Sequence, residues 1–194
     1  MARQASFKNI FEYYEHHITP VEVIFMQRFC SLRRICWLKT LFIVASRLGD
    51  GPLWVMTAGW LLLTGNLHAR MVVASALVAV TISVLTFMAI KNLIGRPRPC
   101  ESWQSLTCLM SAPDKFSFPS GHSMTAFAVW SSLSSAIAEL TLPYLLAAII
   151  IGLSRVFLGL HYPTDVLVGA LLGSAIGFAT VLSTSAIQSL LAAL

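Results

Sequence analysis

From Met71 to Ile90 the chain runs for 20 residues without one charged side chain. As a helix rising 1.5 Å per residue, that is about 30 Å, the thickness of a bilayer's hydrocarbon core. Backbone groups in lipid have no water to bind, so a segment of this kind crosses as a helix that satisfies its own hydrogen bonds. The stretch therefore predicts a helical membrane protein. Lys91 closes the span, and Gly95, Pro97 and Pro99 keep the helix from continuing much further.

Composition agrees: 57% of the 194 residues are hydrophobic and 11% charged, against about 25% charged in soluble domains. Leu53 to Thr64 is apolar but short, so a span there borrows from its flanks. Three further spans are expected: from the FPSGHS stretch at Phe118 to about Leu140, from about Leu142 to Leu160, and from Pro163 toward Ile187. Between Cys100 and Phe118 lies a polar loop carrying Glu101, Asp114 and Lys115, placed outside the hydrocarbon. Gly169, Gly173 and Gly177 recur every four residues along one face of the last span, which lets a neighbouring helix come close. Packing inside the bundle is the favoured reading of that stripe, ahead of a dimer seam.

Residues 1 to 20 are read as a surface helix or irregular lead-in, with no signal peptide apparent. Val21 to Leu48 mixes Arg28, Arg33, Arg34 and Lys39 with Phe25, Phe29, Trp37, Leu41 and Phe42. That pattern predicts one amphipathic helix lying at the membrane interface, or alternatively a further span. Gly49-Asp50-Gly51-Pro52 breaks it. The predicted fold is thus all-α: an integral membrane helical bundle of about five to six transmembrane helices, preceded by an N-terminal amphipathic interfacial helix. Residues 1–48 form the lead-in and interfacial segment, and residues 49–194 one transmembrane core.

The net charge of +5 does not describe a nucleic-acid-binding surface, because the cations fall in two groups. The N-terminal group suits anionic lipid headgroups. The second, Lys91, Arg96, Arg98, Lys115 and Arg155, suits an anionic substrate. Cys30, Cys36, Cys100 and Cys108 lack the CxxC spacing of a zinc or redox site.

Counting helix ends brings three motifs to one side of the membrane. Lys91, Arg98 and Pro99 form K-x6-R-P; Pro119 to His122 read PSGH; Ser154 to Asp165 form S-R-x5-H-x3-D. A phosphoryl group carries negative charge on its non-bridging oxygens, which fixed arginines and a lysine can balance. Ser120 and Gly121 open a helix, where unpaired N–H groups favour an anion. A histidine four residues before an aspartate can have one ring nitrogen held while the other attacks. Taken singly, His122 reads as a capping or packing histidine and Lys91 as a snorkelling lysine. The ordered combination is what points to a phosphate site.

With these three motifs complete, roughly residues 40 to 180 resemble the type 2 phosphatidic acid phosphatase superfamily, membrane lipid phosphatases that share their site with vanadium haloperoxidases. The resemblance implies that His161 attacks phosphorus to give a phosphohistidine, with Asp165 supporting its other nitrogen. It implies that His122 protonates the leaving oxygen and then activates water, and that Lys91, Arg98, Ser120, Gly121 and Arg155 bind the phosphate. No metal or cofactor is implied, and the expected partners are a lipid phosphate and membrane lipids, with no nucleic acid. Candidate substrates are phosphatidic acid, phosphatidylglycerol phosphate, undecaprenyl diphosphate and lipid A. Phosphoryl transfer to a second lipid and vanadate-dependent halide oxidation are the competing activities. In the bacterial members implied by this resemblance the protein sits in the cytoplasmic membrane with the site facing outward. If that face is oxidising, Cys100 and Cys108 can pair. Arg96 fits no motif position and is assigned a headgroup or loop contact; His16, His17 and His68 receive no role.

Overall fold

The computed structural model describes residues 18–64, 67–112, 114–135 and 137–192, of which 185–192 by backbone alone. Every regular element among them is helical. Helix α1 spans Thr19–Ser31, α2 Cys36–Gly49, α3 Pro52–Thr64, α4 Leu67–Ile94, α5 Gly121–Ser134, α6 Ala138–Phe157 and α7 Pro163–Ala192. Helices α4, α6 and α7, the last as far as Thr184, are long and apolar enough to cross a membrane. The 13 residues of α3 and 14 of α5 reach only about 20 Å at 1.5 Å per residue.

Burial runs opposite to that of a water-soluble domain. Leu63 is 88% exposed and Leu93 84%, while Ser46, Ser83, Ser123, Ser131, Ser132 and Ser154 are fully buried. Leucines facing out and serines facing in suit a lipid solvent, where helices associate through small and polar residues.

Helix α5 is the hub, packed against α4, α6 and α7. Its closest neighbour is α7, and the Gly169, Gly173, Gly177 stripe is the cause. A Cβ on Gly169 would stand 2.6 Å from the Ser120 carbonyl oxygen, and one on Gly177 2.5 Å from that of Ala128. The stripe thus serves packing within the bundle. Gly173→Val is expected to destabilise the fold by about 3 kcal/mol, the upper end for overpacking, seen as an earlier thermal transition in detergent.

Several boundaries differ from expectation: the span expected over about Leu142 to Leu160 runs instead over Ala138–Phe157, and three other differences have a visible local cause. The span expected to run from Phe118 to Leu140 ends at Ser134. There the hydroxyls of Ser131, Ser132 and Ser135 turn back onto the carbonyls of Phe127 (2.9 Å), Ala128 (2.8 Å) and Ser131 (2.8 Å), competing with helix continuation. Helix α4 continues one turn past Lys91 and stops before Gly95, whose φ of +67° suits glycine. The single helix expected over Val21 to Leu48 is two helices, separated by a 3-10 turn at Leu32–Arg34 and an extended Ile35.

Arg33 accounts for that break. Its Nε donates to the Phe157 carbonyl at 2.8 Å and its Nη1 to the Thr107 carbonyl at 3.0 Å. A cation here satisfies the open carbonyl end of α6, so Arg33 is not a free headgroup contact. Phe42, expected at the acyl boundary, is instead buried, with its ring 4.5 Å from that of Phe157. Trp37 and Phe25 do face outward, 68% and 51% exposed. Most of the 1–20 lead-in, including His16 and His17, lies outside the described residues.

Candidate active site

The C-terminal ends of α4 and α6 and the N-terminal ends of α5 and α7 meet on one side of the bundle. There a cavity of about 280 Å³ is lined by Lys91, Arg98, Gly121, His122, Arg155 and His161. Two carboxylates, Asp50 and Asp114, complete its polar wall. The cavity thus gathers six of the eight residues the motifs singled out.

His161 lies in the five-residue turn between α6 and α7. That turn is pinned from within by the Leu160 and His161 amides on the Arg155 carbonyl, at 3.1 and 3.3 Å. It is pinned from outside by the polar loop: the Cys100 amide donates to Gly159 at 3.3 Å and Leu109 to Leu158 at 3.1 Å. Cys100 and Cys108 are joined by a disulfide that closes this loop. Gly159 adopts φ +81°, and a Cβ there would lie 2.7 Å from the Thr107 carbonyl, so both conformation and space demand glycine.

The imidazole of His161 is 2% exposed, with Nδ1 2.6 Å from the Ser117 carbonyl oxygen. A carbonyl only accepts, so Nδ1 carries the proton and Nε2 holds the lone pair. Nε2 sits 3.4 Å from Arg98 Nη1. Burial first, then the charges of Arg155, Arg98 and Lys91, hold this histidine well below its usual range. It is therefore neutral, with a lone pair available, at neutral pH.

Asp165 is fully buried at the first turn of α7, its Oδ2 3.7 Å from His161 Nδ1. That is beyond hydrogen-bonding distance, so it is the Ser117 carbonyl, and not Asp165 as the motif implied, that accepts from Nδ1. Both oxygens of Asp165 are otherwise engaged: Oδ2 accepts from the Tyr162 amide at 2.8 Å and Oδ1 from Arg96 Nη1 at 2.6 Å. Arg96 is 3% exposed. It also donates to Glu22 Oε2 at 2.9 Å and lies over the Tyr162 ring at 3.7 Å. Glu22 in turn takes the Thr164 amide at 2.8 Å and hydroxyl at 2.7 Å. Helix α1 thereby reaches the turn that carries His161, through a residue that the motif pattern left as a headgroup or loop contact.

The three cations of the cavity differ in how they are balanced. Asp114, from the polar loop, accepts from Lys91 Nζ at 2.7 Å and from Arg98 Nη2 at 2.8 Å. Burial pushes its carboxyl up, but Lys91 and Arg98 outweigh that and hold it below the usual carboxylate range. Arg155 pairs with no carboxylate among the described residues. Its Nη1 donates to the Ser46 hydroxyl, and its Nε is buried without a hydrogen-bond partner. An unmet donor of that kind is costly unless a ligand answers it.

Ser120 does not line the cavity. It caps α5, its hydroxyl accepting from the Ser123 amide at 3.4 Å and from the Ser123 hydroxyl at 3.0 Å. Gly121 does line it, packed against Phe87. His122, 14% exposed at its side chain, places Nε2 2.6 Å from Asp50 Oδ1. Glu22, Asp50, Arg96 and Asp114 are the site-region residues that the motifs miss. Glu22 had a usable signal, being the only acidic residue between His16 and Gly49, since a lone carboxylate in an apolar segment needs a partner.

Among the described residues no cluster of His, Cys, Asp and Glu has the arrangement of a metal site. The family model described as the PAP2 superfamily matches residues 72–188. Decaprenylphosphoryl-5-phosphoribose phosphatase of Mycobacterium tuberculosis is 38% identical over 104 residues, covering 54% of this chain and 54% of that one. The chain thus spans about half the length of that relative. Undecaprenyl-diphosphatase of Sulfolobus acidocaldarius is 26% identical over 157 residues, 78% of this chain and 73% of the other. The crystal structure of Aquifex aeolicus LpxE superimposes with a TM-score of 0.70 at 26% identity, over 81% of this chain and 93% of that one.

Proposed function

The chain belongs to the PAP2 superfamily, and from that premise we propose that it is a membrane lipid phosphatase acting on a phosphate monoester or pyrophosphate through a phosphohistidine. The observation that carries this reading is the convergence of Lys91, Arg98 and Arg155 on one cavity with His161, whose Nε2 bears the lone pair and faces Arg98. Nε2 attacks phosphorus, forming the N–P bond as the P–O bond to the lipid breaks. His122 delivers a proton to the departing oxygen. His122 then takes a proton from water, which attacks phosphorus and releases inorganic phosphate with His161 restored. Lys91, Arg98 and Arg155 balance the charge on the non-bridging oxygens, with the Gly121 amide at the start of the helix that Ser120 caps. Asp165, held by Arg96, offsets the positive charge that develops on the His161 ring.

A lipid substrate is favoured by what adjoins the cavity. An apolar groove lined by Trp54, Leu61, Val73, Val80, Val129 and Leu133 runs between α3, α4 and α5. Val80 and Val129 lie one helical turn from Val84 and Thr125, which line the phosphate cavity. A headgroup in the cavity would leave its chain beside this groove. The test is phosphate release from purified phosphatidic acid, phosphatidylglycerol phosphate, undecaprenyl diphosphate and lipid A in detergent. Release from at least one supports the reading, and labelled phosphate recovered on an added lipid rather than in water replaces hydrolysis by transfer.

In this reading Asp114 is a tethered competitor for Lys91 and Arg98. Asp114→Ala is expected to tighten inhibition by orthovanadate about 10-fold, since removing a competitor raises the competent fraction. Weaker inhibition contradicts it.

We read α3 to α7 as five crossings, with α1 and α2 lying across the site end. Both ends of α2 support this: Arg33, before it, holds Phe157, and Asp50, after it, holds His122. The Cys100–Cys108 disulfide favours an oxidising, outward face. The Lys/Arg excess on that side argues the other way, but Arg33, Lys91, Arg96, Arg98 and Arg155 are engaged in folding or in the site. A cysteine at Lys115 is expected to react with an impermeant maleimide on intact cells.

A further inference from the structure

Resting on the phosphatase reading, we propose that Asp50 is a positioning residue for His122, forming with it a carboxylate–imidazole pair that orients the ring for proton transfer at the leaving oxygen. The turn carrying Asp50 is fixed on both sides. Trp54 Nε1 donates to the Gly49 carbonyl at 3.2 Å, and a Cβ on Gly49 would come within 2.8 Å of Ile151 on α6. Helix α3 restarts at once, with the Trp54 and Val55 amides both 3.0 Å from the Gly51 carbonyl. Asp50 Oδ1 thereby stands 2.6 Å from His122 Nε2.

A carboxylate accepts, so Nε2 holds the proton of that bond and Nδ1, which hydrogen-bonds no described residue, is left to exchange a proton with substrate or water. The electrostatics require such a partner. Lys91 and Arg155 line the same cavity as His122 and disfavour the charged ring that a general acid must carry. Asp50 is the carboxylate in contact to offset them. Its role parallels that of an aspartate orienting a catalytic histidine in other hydrolases, although nothing in the motifs points to it.

Asp50→Asn keeps shape and removes charge. Two probes separate proton transfer from general damage: dodecyl phosphate, whose alkoxide leaves poorly without a proton, and p-nitrophenyl phosphate, whose leaving group needs none. Asp50→Asn is expected to lower dodecyl phosphate hydrolysis about 30-fold or more. Single-turnover nitrophenolate release should stay within about threefold of wild type, and Asp50→Glu should recover much of the dodecyl phosphate rate. Equal losses on both probes, or no loss on dodecyl phosphate, overturn the proposal. If Asp50→Asn does not survive purification, Asp50→Ser is read by the same two rates. Wild-type protein that hydrolyses neither probe nor any lipid phosphate overturns the parent reading and this one with it; an active wild type with an unaffected variant overturns this one alone.

Discussion

Replacing His161 with alanine is expected to lower phosphate release by about 10⁴-fold or more, the scale on which removal of a nucleophile registers in other enzymes. The size follows from the tautomer. Nδ1 is committed to the Ser117 carbonyl at 2.6 Å, leaving Nε2 as the ring atom with a lone pair on the cavity side. His122, the other imidazole at the cavity, has its Nε2 on Asp50 and cannot take over the attack from that position. Fold damage should be small by comparison. The variant loses the hydrogen bond to Ser117 and the longer one from Arg98, worth about 1 kcal/mol net each, so thermal unfolding in detergent should move by only a few degrees. Rate and transition measured on one sample separate the two effects.

Arg96→Met is expected to act in the opposite proportion. Arg96 bridges two carboxylates that are themselves buried, Glu22 at 6% and Asp165 at 0% exposure. Removing the cation that bridges these two buried carboxylates breaks both ion pairs, at a cost of about 3–5 kcal/mol. Activity should fall as well, because Asp165 then lacks the contact that sets its distance from His161. Glu22→Gln in the same chain relieves part of that cost. The double variant should therefore be more stable than the sum of the single effects, a coupling that a double-mutant cycle reads directly. Additive effects would mean that the three side chains do not form one network.

The residues that line the candidate site were largely legible because they are rare residue types at short spacings. His161 and Asp165 are four apart, and Arg155 is six before His161. Helix ends placed from apolar length then brought the three motifs together. What escaped is carried by pairs distant in sequence, 74 positions for Glu22 with Arg96 and 72 for Asp50 with His122. Neither has a local pattern: Asp50 sits in a Gly-Asp-Gly-Pro string that reads as a helix breaker, which it also is. Asp114 is a loop carboxylate that only the folded loop sets against Lys91. The break at Leu32–Arg34 was hidden for a similar reason, because Arg33 is drawn out of the helix by a carbonyl 124 positions away. Ser120 marks the converse limit: its motif position was clear, while its capping of α5 is a matter of local geometry.

The central claim is that phosphate passes through His161. It is tested most directly by rapid acid-free quench of the purified protein mixed with phosphate-labelled lipid substrate, followed by peptide mass spectrometry. Label on His161, stable in alkali and lost in acid, appearing before free phosphate and missing in His161→Ala, is the predicted result. Free phosphate released at the wild-type rate with no labelled protein at any time, or label on another residue, would contradict it.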